Sequence, residues 1–268
     1  MAKKNYGICA LCGKYGRLTY EHIPPKSSFN SQPSHVVTGD ALITSNNRFP
    51  WDLSGIRYNN LQQGVGRYSL CSQCNNDTGE WYGNEYALIA KEAHNAIISN
   101  AGVFKIEKLY PLRFLKQVLS MFCSVNSGCS DKTMSPLKEL VINKQKKGLD
   151  KQKYKLCMYF TKSKLAKQTG FSVVGNIQTG IFTTLSEITS YPLGYALYLD
   201  PIENRHYMGF DITSFADFSY EEYGKATFPL FLTEMNSWLP ADYRSQEEIR
   251  LCISKNEEWE REHGMEIV

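Results

Sequence analysis

Two Cys-x-x-Cys pairs, Cys9/Cys12 and Cys71/Cys74, constrain this chain more than any other feature in its 268 residues. Four thiolates in two knuckle-spaced pairs can close a tetrahedral site around one zinc ion. Closing it pins residues 9–12 to residues 71–74 and restricts everything between them. Gly13 follows the second cysteine, where a positive φ lets the chain turn back around a metal. Cys123, Cys129, Cys157 and Cys252 form no such pair. The stretch Met1–Gly7 has no apolar signal region, and no run of eighteen apolar residues occurs. A soluble, cytoplasmic chain without a membrane span is therefore expected, and in a reducing compartment paired cysteines read as ligands rather than disulfides. Cys9, Cys12, Cys71 and Cys74 are the expected ligands of a closed, structural Zn²⁺. The plainer alternative is four buried cysteines without metal.

Such a clamp brings a second set of residues together. Glu21-His22-Ile23-Pro24-Pro25 lies between the pairs, and Asn75 follows the last cysteine. A carboxylate, an imidazole and an amide suit a phosphodiesterase that depends on a hard metal. An imidazole can take a proton from water near neutral pH. Glu21 offers a hard oxygen for Mg²⁺ or Mn²⁺ and Asn75 an amide oxygen, and such ions often use only one or two protein ligands. The plainer readings are a surface carboxylate, a structural histidine and a polar residue in the turn before a helix.

The order Cys-x-x-Cys, acid-His-Ile-x-Pro, Leu-Cys-x-x-Cys-Asn resembles the HNH (His-Me finger, ββα-metal) endonucleases, in their four-cysteine zinc form. The likeness covers Cys9 to about Tyr86. It implies Glu21 and Asn75 as ligands of a catalytic Mg²⁺ or Mn²⁺, His22 as general base, and structural zinc on the four cysteines. Asn60, which precedes Leu61, would stand for the family's middle asparagine. The chain departs from the family in having Glu21 where Asp is usual. Asn60 also lies further ahead of the second cysteine pair than in that family, and the segment between His22 and Cys71 is long.

Around these motifs the pattern predicts an α+β protein. Short strands are expected at Arg17–His22 and Gly66–Leu70, and a helix from about Asp77, with Asp77 and Glu80 as a capping box. These make a zinc-clamped ββα module over 1–99. A helical linker region follows over 100–134, with a helix at Pro111–Val125. An α+β domain of unassigned role is expected over 135–268. In it a short helix begins at Ser135-Pro136, strands fall at 154–160, 171–177, 181–185, 195–199 and 228–232, and a closing helix begins at Ser245.

Charge is unevenly spread. Residues 96–170 have fifteen Lys/Arg against four Asp/Glu, and residues 171–268 have six against sixteen. The run Lys144, Lys146, Lys147, Lys151, Lys153, Lys155 is either a contact strip for a nucleic-acid backbone or a solvated surface. His35, Arg48, Trp51, Arg57 and Tyr58, in the long polar segment 27–65, either grip a nucleic acid or pack on one another. His94 and His206 have no motif around them. The expectation is a metal-dependent endonuclease acting on DNA, with a role in phage defence or restriction by analogy alone. Its acidic C-terminal part would serve a homodimer or a regulatory partner. The rival is a non-catalytic zinc-knuckle module that binds nucleic acid or protein.

Overall fold

Every residue of the helix at Pro111–Val125 except Arg113 is buried, and the chain is organised around it. The computed structural model describes residues 5–176 and 180–264. Met1–Lys4, and Ile177 at the end of one expected strand, lie outside them. In chain order the elements are β1 (Tyr6–Ile8), β2 (Tyr15–His22), β3 (Ser34–Val36), α1 (Gly39–Ile43), β4 (Asn59–Leu61), β5 (Gly66–Cys71), α2 (Ser72–Ile98), β6 (Val103–Leu109), α3 (Pro111–Val125), α4 (Asp131–Ile142), β7 (Tyr154–Phe160), β8 (Lys167–Asn176), β9 (Ile181–Ser190), β10 (Leu193–Leu199), β11 (Phe210–Asp211), β12 (Gly224–Pro229) and α5 (Gln246–Glu262). Helices and antiparallel sheets share the chain, as an α+β protein should. No helix among the described residues is long and apolar enough to cross a membrane.

The N-terminal sheet runs β1-β2-β5 and leads directly into α2. The second sheet is five-stranded, in the order β11-β7-β10-β9-β8. Helix α3 packs against α2, α4, β5 and β8, and so lies between the two sheets. One hydrophobic cluster runs from Cys9, Leu11 and Leu70 through Tyr86, Leu115 and Phe122 to Leu156 and Phe228. Residues 100–134 thus do more than link, because α3 is the apolar element that both flanking segments bury against.

Several elements begin elsewhere than expected, β8 among them, which starts at Lys167 instead of 171. Helix α2 starts at Ser72, with Cys71 as its N-cap and no side-chain cap bond. Asp77 accepts from Gln73 Nε2 at 2.7 Å one turn inside the helix instead of capping it. The spacing of Cys71 and Cys74, one helical turn, brings both thiols to the same side, and this overrides the capping signal. Helix α4 starts at Asp131 and carries Pro136 in its interior. A proline there leaves the carbonyl four residues back without its helical donor. That carbonyl, on Lys132, accepts from Lys153 Nζ at 3.0 Å. The strand expected at 228–232 lies at Gly224–Pro229, paired with β6. The capping box at Ser245 and Glu248 forms as its sequence implies.

The basic run is engaged within the fold. Lys146 pairs with Glu139 at 2.5 Å, Lys151 with Asp217 at 2.5 Å and Lys155 with Asp211 at 3.1 Å. Lys144 sits 4.7 Å from the Tyr220 ring centroid. The basic middle and the acidic last third therefore face each other in part, and the solvated-surface reading fits this run better than a free contact strip. Surface pairs of this kind are worth only ~0–1 kcal/mol each. The loop aromatics also pack on one another: His35 stacks on Tyr58 at 4.4 Å and Phe49 on Trp51 at 5.0 Å. Arg48 is held by Glu257 of α5 at 2.7 Å.

Candidate metal centre and adjoining cavity

The four sulfur atoms of Cys9, Cys12, Cys71 and Cys74 all lie within 4.8 Å of one another. Four thiolates at ~2.3 Å from a tetrahedral zinc stand roughly 3.8 Å apart, and Cys12 Sγ and Cys71 Sγ are 3.9 Å apart. The cluster can hold a metal ion such as zinc. Its two halves are built locally. Cys9 N donates to Lys14 O at 3.0 Å and Gly13 N to Cys9 O at 3.0 Å, which closes the first knuckle. Gly13 has φ +70°, as its place after the second cysteine required. Cys71 N donates to Cys9 Sγ at 3.3 Å, joining the knuckles. Cys9 is held well below the ordinary thiol range, first by the hydrogen bond from the Cys74 side chain and then by the Cys71, Cys12 and Leu11 amides, against the cost of burial. Cys74 is pushed the opposite way by its bond to Cys9 and by burial. A thiolate already stabilised beside its partners is a predisposed metal ligand.

Strand β2 continues from this cluster to Glu21 and His22. Its pairing with β5 shifts register between Thr19 and Tyr20, so Ser69 has no cross-strand partner. A bulge re-aims the side chains around it. Ser69 Oγ donates to Glu21 Oε2 at 3.0 Å, and Ser69 O accepts from Ala10 N at 2.8 Å. Ser124 of α3 donates to the same carboxylate oxygen. Glu21 is 5% exposed, so it is not the surface carboxylate of the plainer reading. Burial pushes its carboxyl up to about 7, opposed by the Ser124 and Ser69 hydroxyls and the Arg67 charge.

That shift has a consequence for stability. The folded value lies above the ordinary carboxyl value of ~4.3, so the fold favours the protonated form. The penalty is absent in acid, grows as the pH rises from ~4.3 to about 7, and is complete above it. In protein without added Mg²⁺ or Mn²⁺, Glu21→Gln is expected to stabilise the fold at pH 8 by about 2–3 kcal/mol. The gain shrinks as the pH falls towards 5, and urea unfolding at both pH values reads it. Destabilisation at pH 8 would mean that the buried carboxylate is fully compensated.

His22 ends β2 and is partly exposed. Its Nε2 lies 2.8 Å from Gln63 O. A carbonyl can only accept, so Nε2 carries the hydrogen and Nδ1 of the neutral ring keeps its lone pair. Asn75, in the first turn of α2, donates from Nδ2 to Thr19 Oγ1 at 3.0 Å and to Tyr20 O at 3.3 Å. Its amide plane is thereby fixed to β2, and Oδ1 has no hydrogen-bond donor among the described residues. Glu21, His22 and Asn75 line one cavity of ≈ 250 Å³, with Lys26, Gly79, Gly83, Asn84 and Gln117 among its other walls. Lys26, at the exposed edge, is the one cation lining it. Gly79 and Gly83 recur with Asn75 at helical spacing, and nothing lies within 4 Å of a Cβ built on either. That face of α2 thus offers bare backbone to the cavity.

Asn60 does not join this set. It sits on β4 opposite His35 of β3, exposed, and does not line the cavity. The expectation for it is corrected: eleven residues before Cys71 the chain is still in its excursion away from the β2/β5 pair. An asparagine that does hold this part of the chain is Asn30, which the sequence alone does not single out. Its Nδ2 donates to Pro24 O at 2.6 Å and Val65 O at 2.7 Å, and its Oδ1 accepts from Val65 N at 2.7 Å. Asn30 therefore ties the two ends of the 24–65 excursion together. Gly64 has φ +90°, and a Cβ there would lie 2.2 Å from Asn30 O. Asn30→Ala is expected to cost about 2–4 kcal/mol, since it strands buried backbone groups. A shift in the urea midpoint checks this, and an unchanged midpoint would refute the clamp. His94 packs against Phe29 and Tyr191, with Nδ1 2.8 Å from Tyr191 Oη, in a structural contact.

Comparison of the chain with protein-family models, with curated proteins and with solved structures gives no match. The resemblance to HNH endonucleases rests on the residues of its motifs alone.

Proposed function

We propose that this chain is a zinc-stabilised, Mg²⁺- or Mn²⁺-dependent HNH-type endonuclease that hydrolyses phosphodiester bonds in DNA. One observation carries the reading. His22, whose Nε2 lies 2.8 Å from Gln63 O, lines a single cavity with Glu21 and Asn75 beside a four-thiol cluster. The donor set fits a hard cation, since a carboxylate residue and an asparagine whose Oδ1 accepts no hydrogen bond line one polar cavity. When bound, that cation would supply Lewis-acid stabilisation of charge on the phosphate and on the leaving 3′ oxygen. His22 takes the proton from the attacking water at Nδ1, and Gln63 O holds the ring in position through Nε2–H. Lys26 meets the phosphate at the cavity's edge. Glu21 must shed its proton to act as a ligand, so cation binding and hydrolysis are expected to strengthen as the pH rises through about 7.

The test is incubation of zinc-loaded protein with supercoiled plasmid in Mg²⁺ or Mn²⁺, with and without chelator. Metal-dependent nicking or linearisation is the expected result. The burial of Glu21 against two hydroxyls favours the rival, a zinc-knuckle module that binds without cutting. It requires salt-sensitive retention of DNA with no cleavage under any metal. A role in phage defence or restriction is part of this proposal by analogy only.

A further inference from the structure

Helix α3 is apolar on most of its surface but carries a polar stripe. Gln117, Ser120 and Ser124 recur at i, i+3 and i+7, so they share one face. Ser124 from this stripe holds Glu21. Gln117 is 4% exposed, lines the same cavity as Glu21 and Asn75, and its Oε1 has no hydrogen-bond partner among the described residues. A buried amide oxygen without a donor costs about 1–3 kcal/mol. A helix this well packed has no structural reason to keep one, since methionine or leucine would fill the same place without that cost.

Glu21, Asn75 and Gln117 thus line one small space, and their acceptors left over are Glu21 Oε1, Asn75 Oδ1 and Gln117 Oε1. None has a donor among the described residues, and Lys26, the one cation lining the cavity, is exposed at its edge. Acceptor oxygens without donors beside a carboxylate are what a divalent cation takes as ligands. Resting on the reading above, we infer that Gln117 gives its carboxamide oxygen to the coordination sphere of the divalent cation held by Glu21 and Asn75. Gln117 lies thirty-one residues beyond Tyr86, where the family likeness ends. The site is then completed by the helix on which the C-terminal sheet packs, and residues 1–99 alone lack part of it.

The experiment is Mn²⁺ titration of the zinc-loaded full chain, followed by the EPR signal of free Mn²⁺. Wild type, Gln117→Met and Asn75→Ala are compared, with thermal unfolding of each in the absence of Mn²⁺. Gln117→Met is expected to weaken Mn²⁺ binding about 10-fold or more while leaving the unfolding temperature unchanged or raised. Weakening by Asn75→Ala with none by Gln117→Met overturns this inference and leaves the proposed function standing. Equal binding by wild type and Asn75→Ala overturns both. A lowered unfolding temperature in Gln117→Met with unchanged Mn²⁺ affinity would make Gln117 a structural residue and also overturn the inference.

Discussion

Cys74→Ala is expected to empty the thiol cluster and melt the N-terminal sheet while the five-stranded sheet survives. Cys74 is placed by the first turn of α2, and Cys9 and Cys12 by a knuckle that shares few other contacts with it. Little else joins them, because β1 and β2 present Tyr6, Ile8 and Tyr15 to solvent and bury few side chains. Structural zinc supplies ~10–16 kcal/mol to small domains that depend on it. The loss here is expected to be on the order of 5 kcal/mol, because Cys9, Leu11 and Leu70 also belong to the common core. Hydrogen exchange should show β2 and β5 losing protection while β9 and β10 keep theirs. Elemental analysis should show bound zinc falling from one per chain to none. Retained protection in β2 would mean that the sheet stands without the ion.

His22→Ala is expected to reduce metal-dependent cleavage by ~10²–10⁴-fold, the usual worth of a positioned general base. The substitution should barely touch the fold. The ring is partly exposed and makes one hydrogen bond, to Gln63 O at 2.8 Å, worth about 1 kcal/mol. Mn²⁺ affinity should be unchanged, because His22 is not placed among the cation's ligands. The combination separates His22 from Asn75, whose loss should weaken both binding and rate. Undiminished cleavage by His22→Ala would remove the imidazole from the chemistry.

What was legible in the sequence was local. Knuckle spacing, the glycine after the first knuckle, the strand ending in His22-Ile23-Pro24, the proline opening α3 and the Ser245/Glu248 box each declare themselves within a few residues. What was hidden depends on partners far along the chain. Glu21 is buried because Ser124, 103 residues later, reaches its carboxylate. Asn30 matters because Val65 lies across from it, 35 residues on. The bulge at Ser69 has no signature, since one unpaired residue in a strand leaves alternation almost intact. Helix α2 begins earlier than its capping letters suggest because the thiol geometry, not a side-chain cap, sets its first turn. The charge blocks were visible, but which lysine meets which carboxylate is decided by tertiary packing.

In the proposed reaction, water deprotonated beside a cation cuts a phosphodiester at the cavity of Glu21, His22 and Asn75. Cleavage of a short DNA duplex by the zinc-loaded chain in Mg²⁺ and ¹⁸O-labelled water tests it most directly, read by mass spectrometry of the product ends. The expected products have 3′-hydroxyl and 5′-phosphate ends, with one ¹⁸O in each new phosphate, and none form when chelator is present. Intact DNA, chelator-resistant cutting or unlabelled phosphate would contradict it.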